Sequence, residues 1–320
     1  MRRKPRIGLA LGSGSARGWA HIGAIRALEE RGVKPDIICG SSIGALVGAA
    51  YASGQLDKLE QWCTSLAWTT VVRLMDISWS GGLIRGARLF NLFNTILDDV
   101  DIDQLAVPYG AVATELGSGR EIWLRHGKML DAVRASCALP GIFRPAVRDG
   151  VLLVDGGLVN PVPVSMCRAL GADVVIAIDL SWGKLGVYRN RKLEKAGDKD
   201  GEEKSVERDA LPDSTVDMPV APREVPGWLG KLGRGWVARA AKNVEEQVRM
   251  PSILEVFTTS LDIVEMRVAR SRLSGDPADV LLTPLLPGFR TMDFHRSKEA
   301  IEEGRAAVER MGPLIEQVIG

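Results

Sequence analysis

Histidine and cysteine are scarce in this 320-residue chain, which holds three of the first and four of the second. Cys39, Cys63, Cys137 and Cys167 are scattered, with no C-x-x-C pair and no histidine at metal-ligand spacing. That pattern argues against a disulfide framework or a thiolate metal site; the four read as buried thiols of a reducing compartment. Asp98-Asp99-Val100-Asp101 is acidic, but metal sites need better-spaced ligands, so it reads as a loop and helix cap. Neither metal nor cofactor is expected. Net charge is lacking too: 41 basic against 40 acidic residues leave +1, which gives no electrostatic case for nucleic acid. No apolar run is long enough to span a bilayer. The basic start, residues 1–6, is followed by an apolar run only a strand long that breaks at Gly12, a poor signal peptide. The expected location is the cytoplasm.

What is present is an ordinary globular composition, 46% hydrophobic and 25% charged, in a length that suits one large domain or two small ones. Two glycine turns stand out. The apolar run Ile37-Ile38-Cys39 leads into Gly40-Ser41-Ser42-Ile43-Gly44, and an apolar, small-residue segment, 45–52, reads as the helix beyond. A serine at the apex of a sharp strand-to-helix turn is a nucleophile elbow. Its glycines let the backbone fold back tightly and keep side chains clear of the hydroxyl. The new helix directs its positive end at the serine oxygen.

Upstream, a strand over 7–11 runs into Gly12-Ser13-Gly14-Ser15-Ala16-Arg17-Gly18 and then a helix over 19–31, stopped by Gly32. A phosphate-binding loop would need a lysine after the last glycine. A dinucleotide fingerprint would need its third glycine at position 17, which is arginine. An anion-binding turn of backbone N–H groups, an oxyanion loop, is the third reading. Two glycine turns that merely cap two helices would explain either loop, but the pair less easily.

Further along, the spacing predicts helices over 56–66 and 88–97, strands over 109–114 and 121–124, and a helix over 128–135. An apolar loop rigidified by Pro140 and Pro145 follows, then a strand over 151–154 that ends in Asp155-Gly156-Gly157. A carboxylate there sits where α/β sheets place their sites, although Asp-Gly is also a common turn. Trp62, Trp68 and Trp79, beside the Gly81-Gly82 pair, suit either a pocket wall with a hinged lid or plain core. A helix over 161–170 and a near-continuous apolar strand over 174–180 complete a core placed at residues 6–182. Residues 183–226 are charged and proline-rich and read as a flexible insertion. Residues 227–320 read as a helical segment with one last strand over 280–283, packed on the core. In it, Trp228 and Trp236 stand among Lys231, Arg234, Arg239 and Lys242, which suits either a solvated loop or a stretch lying on an anionic membrane. Asp293 is expected to cap a final helix over 294–311.

Ser42 needs a base. His21 is helix-borne among apolar neighbours and His126 looks like a surface turn. The order Ser42, Asp155, His295 matches an α/β-hydrolase triad. Against the triad, only one strand–helix unit precedes the elbow, and Asp155 ends its strand at the same sheet edge as Ser42. A Ser42–Asp155 dyad fits better. A carboxyl titrates near about 4, and burial in an apolar pocket raises it toward working pH.

At this point the motifs resemble those of patatin-like phospholipases. Gly12-x-Gly14-x-x-Arg17-Gly18, Gly40-x-Ser42-x-Gly44 and Asp155-Gly156-Gly157 look like that family's three signatures, in order. The proline loop over 135–145 and the strand end Val112-Ala113-Thr114-Glu115-Leu116 are also similar. The resemblance spans residues 6–180, and Asp293-Phe294-His295-Arg296 resembles the bacterial RssA-type branch. It implies a three-layer α/β/α fold with a mostly parallel central sheet. It implies a lipid acyl hydrolase with Ser42 as nucleophile and Asp155 as general base. It also implies an oxyanion hole from the amides of residues 12–18, with Arg17 holding or charging that loop. Ser13 and Ser15 depart from the run of glycines that many members have there. The implied partner is a lipid or other acyl-ester substrate, with peripheral contact at the inner membrane face left open and no protein partner indicated. A regulatory or adaptor protein that keeps the fold but works by binding is the alternative from another class.

Overall fold

The computed structural model describes residues 3–74, 93–181 and 253–319. Trp79, the Gly81-Gly82 pair, the first part of the 88–97 helix, the 183–226 insertion and the tryptophan-containing basic stretch around 228–242 lie outside the described residues. The chain divides into two units, Met1–Asn190 with Thr258–Gly320, and Arg191–Phe257. Residues 253–257 are the described part of the second unit and form the start of a helix. The sheet and the site described below belong to the first.

Among the described residues, eight strands form one sheet: β1 (Ile7–Leu11), β2 (Ile37–Ser41), β3 (Tyr109–Glu115), β4 (Glu121–Leu124), β5 (Ala146–Arg148), β6 (Val151–Asp155), β7 (Val174–Ile178) and β8 (Val280–Leu282). Their order is β5-β6-β3-β2-β1-β7-β8, with β4 beside β3. The run from β3 through β2, β1 and β7 to β8 is parallel throughout. β4 and β6 are antiparallel to β3, and β5 to β6.

Strand alternation sorts the side chains into two layers. Ile7, Leu9 and Leu11 of β1 join a core with α1 (Ala20–Glu30), α2 (Ile43–Ala52), α3 (Leu56–Thr64), α5 (Met129–Ser136) and α8 (Ser297–Arg310). Ala10 faces the other way, toward α6 (Val164–Ala169) and α7 (Ile253–Gly275). This is the three-layer α/β/α arrangement that the motifs implied. Two further helices among the described residues are α4 (Trp68–Leu74) and α9 (Gly312–Ile319). On the outer layer, α1 and α8 cross at glycines: a Cβ at Gly23 would strike the Ile301 carbonyl, and one at Gly304 the Ala20 carbonyl.

Register fixes how β3 is shared. Its residues 109–112 pair with β2, 111–114 with β4 and 113–115 with β6. The overlaps force β4 onto one edge and leave β2 and β6 end to end along the other. Asp155 therefore reaches the site on a strand that runs against the parallel set, stopping opposite Ala113 where β2 stops at Ser41, opposite Val112. The sequence pattern gives the strand and its end at Asp155 but not its direction.

Other departures are local. The helix expected over 161–170 shrinks to α6 because Pro161 and Pro163 cannot donate and Val162 precedes a proline. β5 was not expected; it forms a hairpin with β6 through a turn at Asp149, whose φ of 51° is left-handed. Asp293 does not cap a helix with its side chain. Its carboxylate accepts from the Arg290 amide at 3.0 Å, and α8 begins only at Ser297 after the turn Phe294–Arg296.

Candidate active site

Ser42 sits between β2 and α2 with φ 54° and ψ −124°. A non-glycine residue held there stores about 1–3 kcal/mol of strain. Its neighbours hold it. The Ser42 amide donates to Ser136 Oγ at 2.9 Å, and its carbonyl accepts from Ala45 at 2.8 Å to start the helix. Gly40 and Gly44 are steric necessities. A Cβ at Gly40 would strike the Gly44 carbonyl, and one at Gly44 would strike the Leu11 carbonyl on the neighbouring strand.

Ser42 Oγ donates to Asp155 Oδ2 at 2.6 Å. Asp155 is fully buried. Its Oδ1 accepts from the Gly157 amide at 2.7 Å, which turns the chain sharply after β6. Its backbone is gripped on both sides: Thr114 Oγ1 donates to the Asp155 carbonyl at 2.7 Å, and the Asp155 amide donates to the Ala138 carbonyl at 3.0 Å. A Cβ at Gly156 would meet the Val112 carbonyl. The carboxylate is thus fixed in position, and its orientation toward Ser42 is set by two separate hydrogen bonds.

The loop over 12–18 spends most of its amides on itself and on its surroundings. Gly12 donates to the Ile178 carbonyl at 3.0 Å and Ser13 to Pro161 at 2.8 Å; Ala16 donates to Thr291 at 3.3 Å and Arg17 to Gly14 at 3.1 Å. Gly18 lets Ile43 pack closely, since a Cβ there would strike the Ile43 side chain. Among the described residues, the amides of Gly14 and Ser15 have no such acceptor. They lie where the helical turn Ser15–Trp19 begins, with Ser15 at a left-handed φ of 49°. Arg17 does not stand in the cavity. It is 3% exposed, donates to the Phe289 carbonyl at 2.5 Å and lies 4.0 Å from Asp262. Burial lowers its pKa, against the opposing pull of Asp262, Asp293 and Glu265. It anchors the loop from behind.

The three histidines occupy different surroundings. His21 is fully buried and its Nε2 meets the Gly12 carbonyl at 2.8 Å. Desolvation drives its pKa down to about 4, so at neutral pH it is an uncharged donor that steadies the loop. His126 pairs with Asp103 at the surface, at 2.6 Å. His295 packs edge-on against Trp68, with ring centroids 5.2 Å apart.

Ser42 and Ser15 share the wall of one cavity, whose other lining is apolar. Ile43, Leu46, Trp62, Leu66, Leu139 and Phe143 form much of it, and Met292 and Phe294 close it from the C-terminal segment. Trp62 stacks edge-on against both Trp19 and Phe93, at 6.0 Å and 5.6 Å. It is therefore core and pocket wall at once, whereas Trp68 is half-exposed. Cys137 faces the same cavity beside Ser42. Burial, then the charge of Asp155, pushes its thiol well above the ordinary value, although a hydrogen bond with Ser42 pulls the other way. Thr114 falls in the strand end over 112–116, and Ser136 and Cys137 in the loop over 135–145, but neither stretch marks a role for these residues individually.

The model of the patatin-like phospholipase family matches residues 9–168. An uncharacterized NTE family protein of Mycobacterium tuberculosis is 36% identical over 324 residues, covering 94% of this chain and 90% of that protein. Patatin-like phospholipase domain-containing protein 6 of Homo sapiens is 36% identical over 183 residues, 54% of this chain and 13% of that protein. Domain-containing protein 7 of the same type from Mus musculus is 30% identical over 306 residues, 93% of this chain and 20% of that protein.

Proposed function

The chain belongs to the patatin-like phospholipase family, a family of lipid hydrolases, and from that premise we propose that it cleaves fatty-acyl esters of phospholipids or lysophospholipids through a Ser42–Asp155 dyad. The observation that carries the reading is the 2.6 Å hydrogen bond to a fully buried carboxylate from the Oγ of Ser42, which itself lines an apolar cavity. The acyl chain lies in that cavity, where burial of methylenes supplies binding at about 0.8 kcal/mol each. Asp155 Oδ2 takes the Ser42 proton as Oγ attacks the ester carbon. The carbonyl electron pair moves onto oxygen, where the Gly14 and Ser15 amides and the helix start beside them stabilise it. The tetrahedral intermediate collapses, the C–O bond to the alcohol breaks, and the alcohol leaves with the proton from Asp155. Water, deprotonated by the same carboxylate, then attacks the acyl carbon; the bond to Ser42 Oγ breaks, Asp155 returns the proton to Oγ, and the fatty acid leaves.

The Asp293–Arg296 tail supports placement in the RssA-type branch. No helix of the described residues is long and apolar enough to cross a membrane. The proposed place of action is the cytoplasm with contact at the membrane's inner face, a reading supported by the basic, tryptophan-containing sequence around 228–242 and by exposed Ile263 and Val264. The test is a panel of phospholipids and lysophospholipids with mass analysis of products, beside labelling by a serine-reactive fluorophosphonate. Turnover and labelling that both vanish in Ser42→Ala support the proposal. A wild type with neither would favour a binding role.

A further inference from the structure

One face of α7 touches both loops that carry the chemistry. Asp262, Glu265, Ala269 and Arg272 follow one another at three- and four-residue steps, so they share that face. Glu265 Oε2 accepts from Ser13 Oγ at 3.0 Å, and Glu265 is 6% exposed. Its Oε1 lies so close to Gly157 that a Cβ there would sit 2.8 Å away. One turn earlier, Asp262 faces Arg17 at 4.0 Å and accepts from Thr291 Oγ1 at 3.4 Å, and the Thr291 carbonyl takes the Ala16 amide. Two turns later, Arg272 donates to the Val159 carbonyl at 3.1 Å and pairs with Glu121 at 2.8 Å, just past the Asp155 turn. Ala269, fully buried, seats the same face on the sheet.

We infer that Glu265 is a positioning residue for the oxyanion loop, setting the Gly14 and Ser15 amides against Ser42 by holding Ser13 and by flanking the turn that follows Asp155. This rests on the hydrolase reading above. A buried carboxylate is costly unless its partners are fixed, so Glu265 and the loop each restrict where the other can lie. Gly14 and Ser15 directly follow the residue that Glu265 holds. A shift of the loop by a fraction of an ångström would carry those donors off the developing oxyanion, where position sets the rate. α7 lies outside the 9–168 stretch that the family model matches, so this control comes from the C-terminal segment.

The experiment is steady-state kinetics of the full chain on a soluble short-chain p-nitrophenyl ester, with the rate of fluorophosphonate labelling as an independent readout. Glu265→Ala and Ser13→Ala should each lower kcat by about 10- to 100-fold with KM little changed, and slow labelling in proportion. Glu265→Gln keeps an oxygen acceptor for Ser13 and should recover most of the rate. The double variant should lose no more than either single one, as expected for two residues acting through one contact. If Glu265→Ala does not fold, Ser13→Ala and Glu265→Gln carry the comparison. Folded variants with wild-type kcat, or losses that multiply in the double variant, would overturn the inference while leaving the hydrolase reading intact. A wild type that neither turns over ester nor takes label defeats both.

Discussion

Ser42 directly follows β2 and Asp155 ends β6, two strands that meet head-on along one edge of β3, and their side-chain oxygens lie 2.6 Å apart. Because β2 and β6 are both pinned to β3, that separation is set by backbone register and not by a flexible side chain. Asp155→Asn is the cleanest probe of it. The amide can still accept from Gly157, so the thermal midpoint should move by only a few degrees. Turnover should fall by about 10²–10⁴-fold, the range for a lost general base. Wild-type turnover in a folded Asp155→Asn would remove the dyad.

Ser136→Ala takes away the acceptor for the Ser42 amide. Leaving that donor unsatisfied should cost about 1–3 kcal/mol, measured by urea unfolding. The left-handed Ser42 backbone would also relax, so kcat should fall more than KM rises. A stability loss with unchanged kcat would show that the elbow geometry is held elsewhere.

His21 links stability to pH. Its folded-state pKa, about 4, lies below the ordinary 6.5, so in that window the unfolded chain binds a proton that the folded chain refuses. Stability should therefore be fully present above pH 6.5 and fall as the pH drops toward 4, by about 3 kcal/mol from this residue. His21→Gln can still donate to the Gly12 carbonyl without titrating. Urea unfolding between pH 4.5 and 7 should give a flatter profile for the variant; an equal slope would assign the acid sensitivity to other groups.

Met292 lines the cavity from the C-terminal segment. A bulky indole there should narrow the space for a fatty chain. Met292→Trp is expected to lower kcat/KM for long acyl esters at least about tenfold more than for acetyl or butyryl esters, on a cost of about 0.8 kcal/mol for each methylene excluded. A uniform loss across chain lengths would place the acyl chain elsewhere.

The elements that proved legible in the sequence are those whose requirements are local. Gly40 and Gly44 mark a turn where a Cβ has no room, and Gly156 another. β1 and β7 read as apolar runs because both their faces are covered. The prolines at 161 and 163 held the signal that shortens α6, but helix-like spacing outweighed it. Which amides of the 12–18 loop stay open was not legible, because Gly12, Ser13 and Ala16 give theirs to Ile178, Pro161 and Thr291, residues far along the chain. Glu265 carried no signal, and Ser136 none beyond its place at the start of the 135–145 loop: a lone serine on a helix and a lone glutamate on another have no spacing relation to the residues they hold.

The sequence by itself determined the glycine turns, the serine at the apex of one and the carboxylate before another, since sterics at single residues dictate them. Only the tertiary structure decided that β6 runs against β2 and stops at its tip, and that a helix a hundred residues further on reaches both loops. Pairing along β3 and packing across the sheet join residues that no local periodicity connects, and this joining brings the Ser42 hydroxyl to the Asp155 carboxylate and to the wall of a cavity that Ser15 also lines.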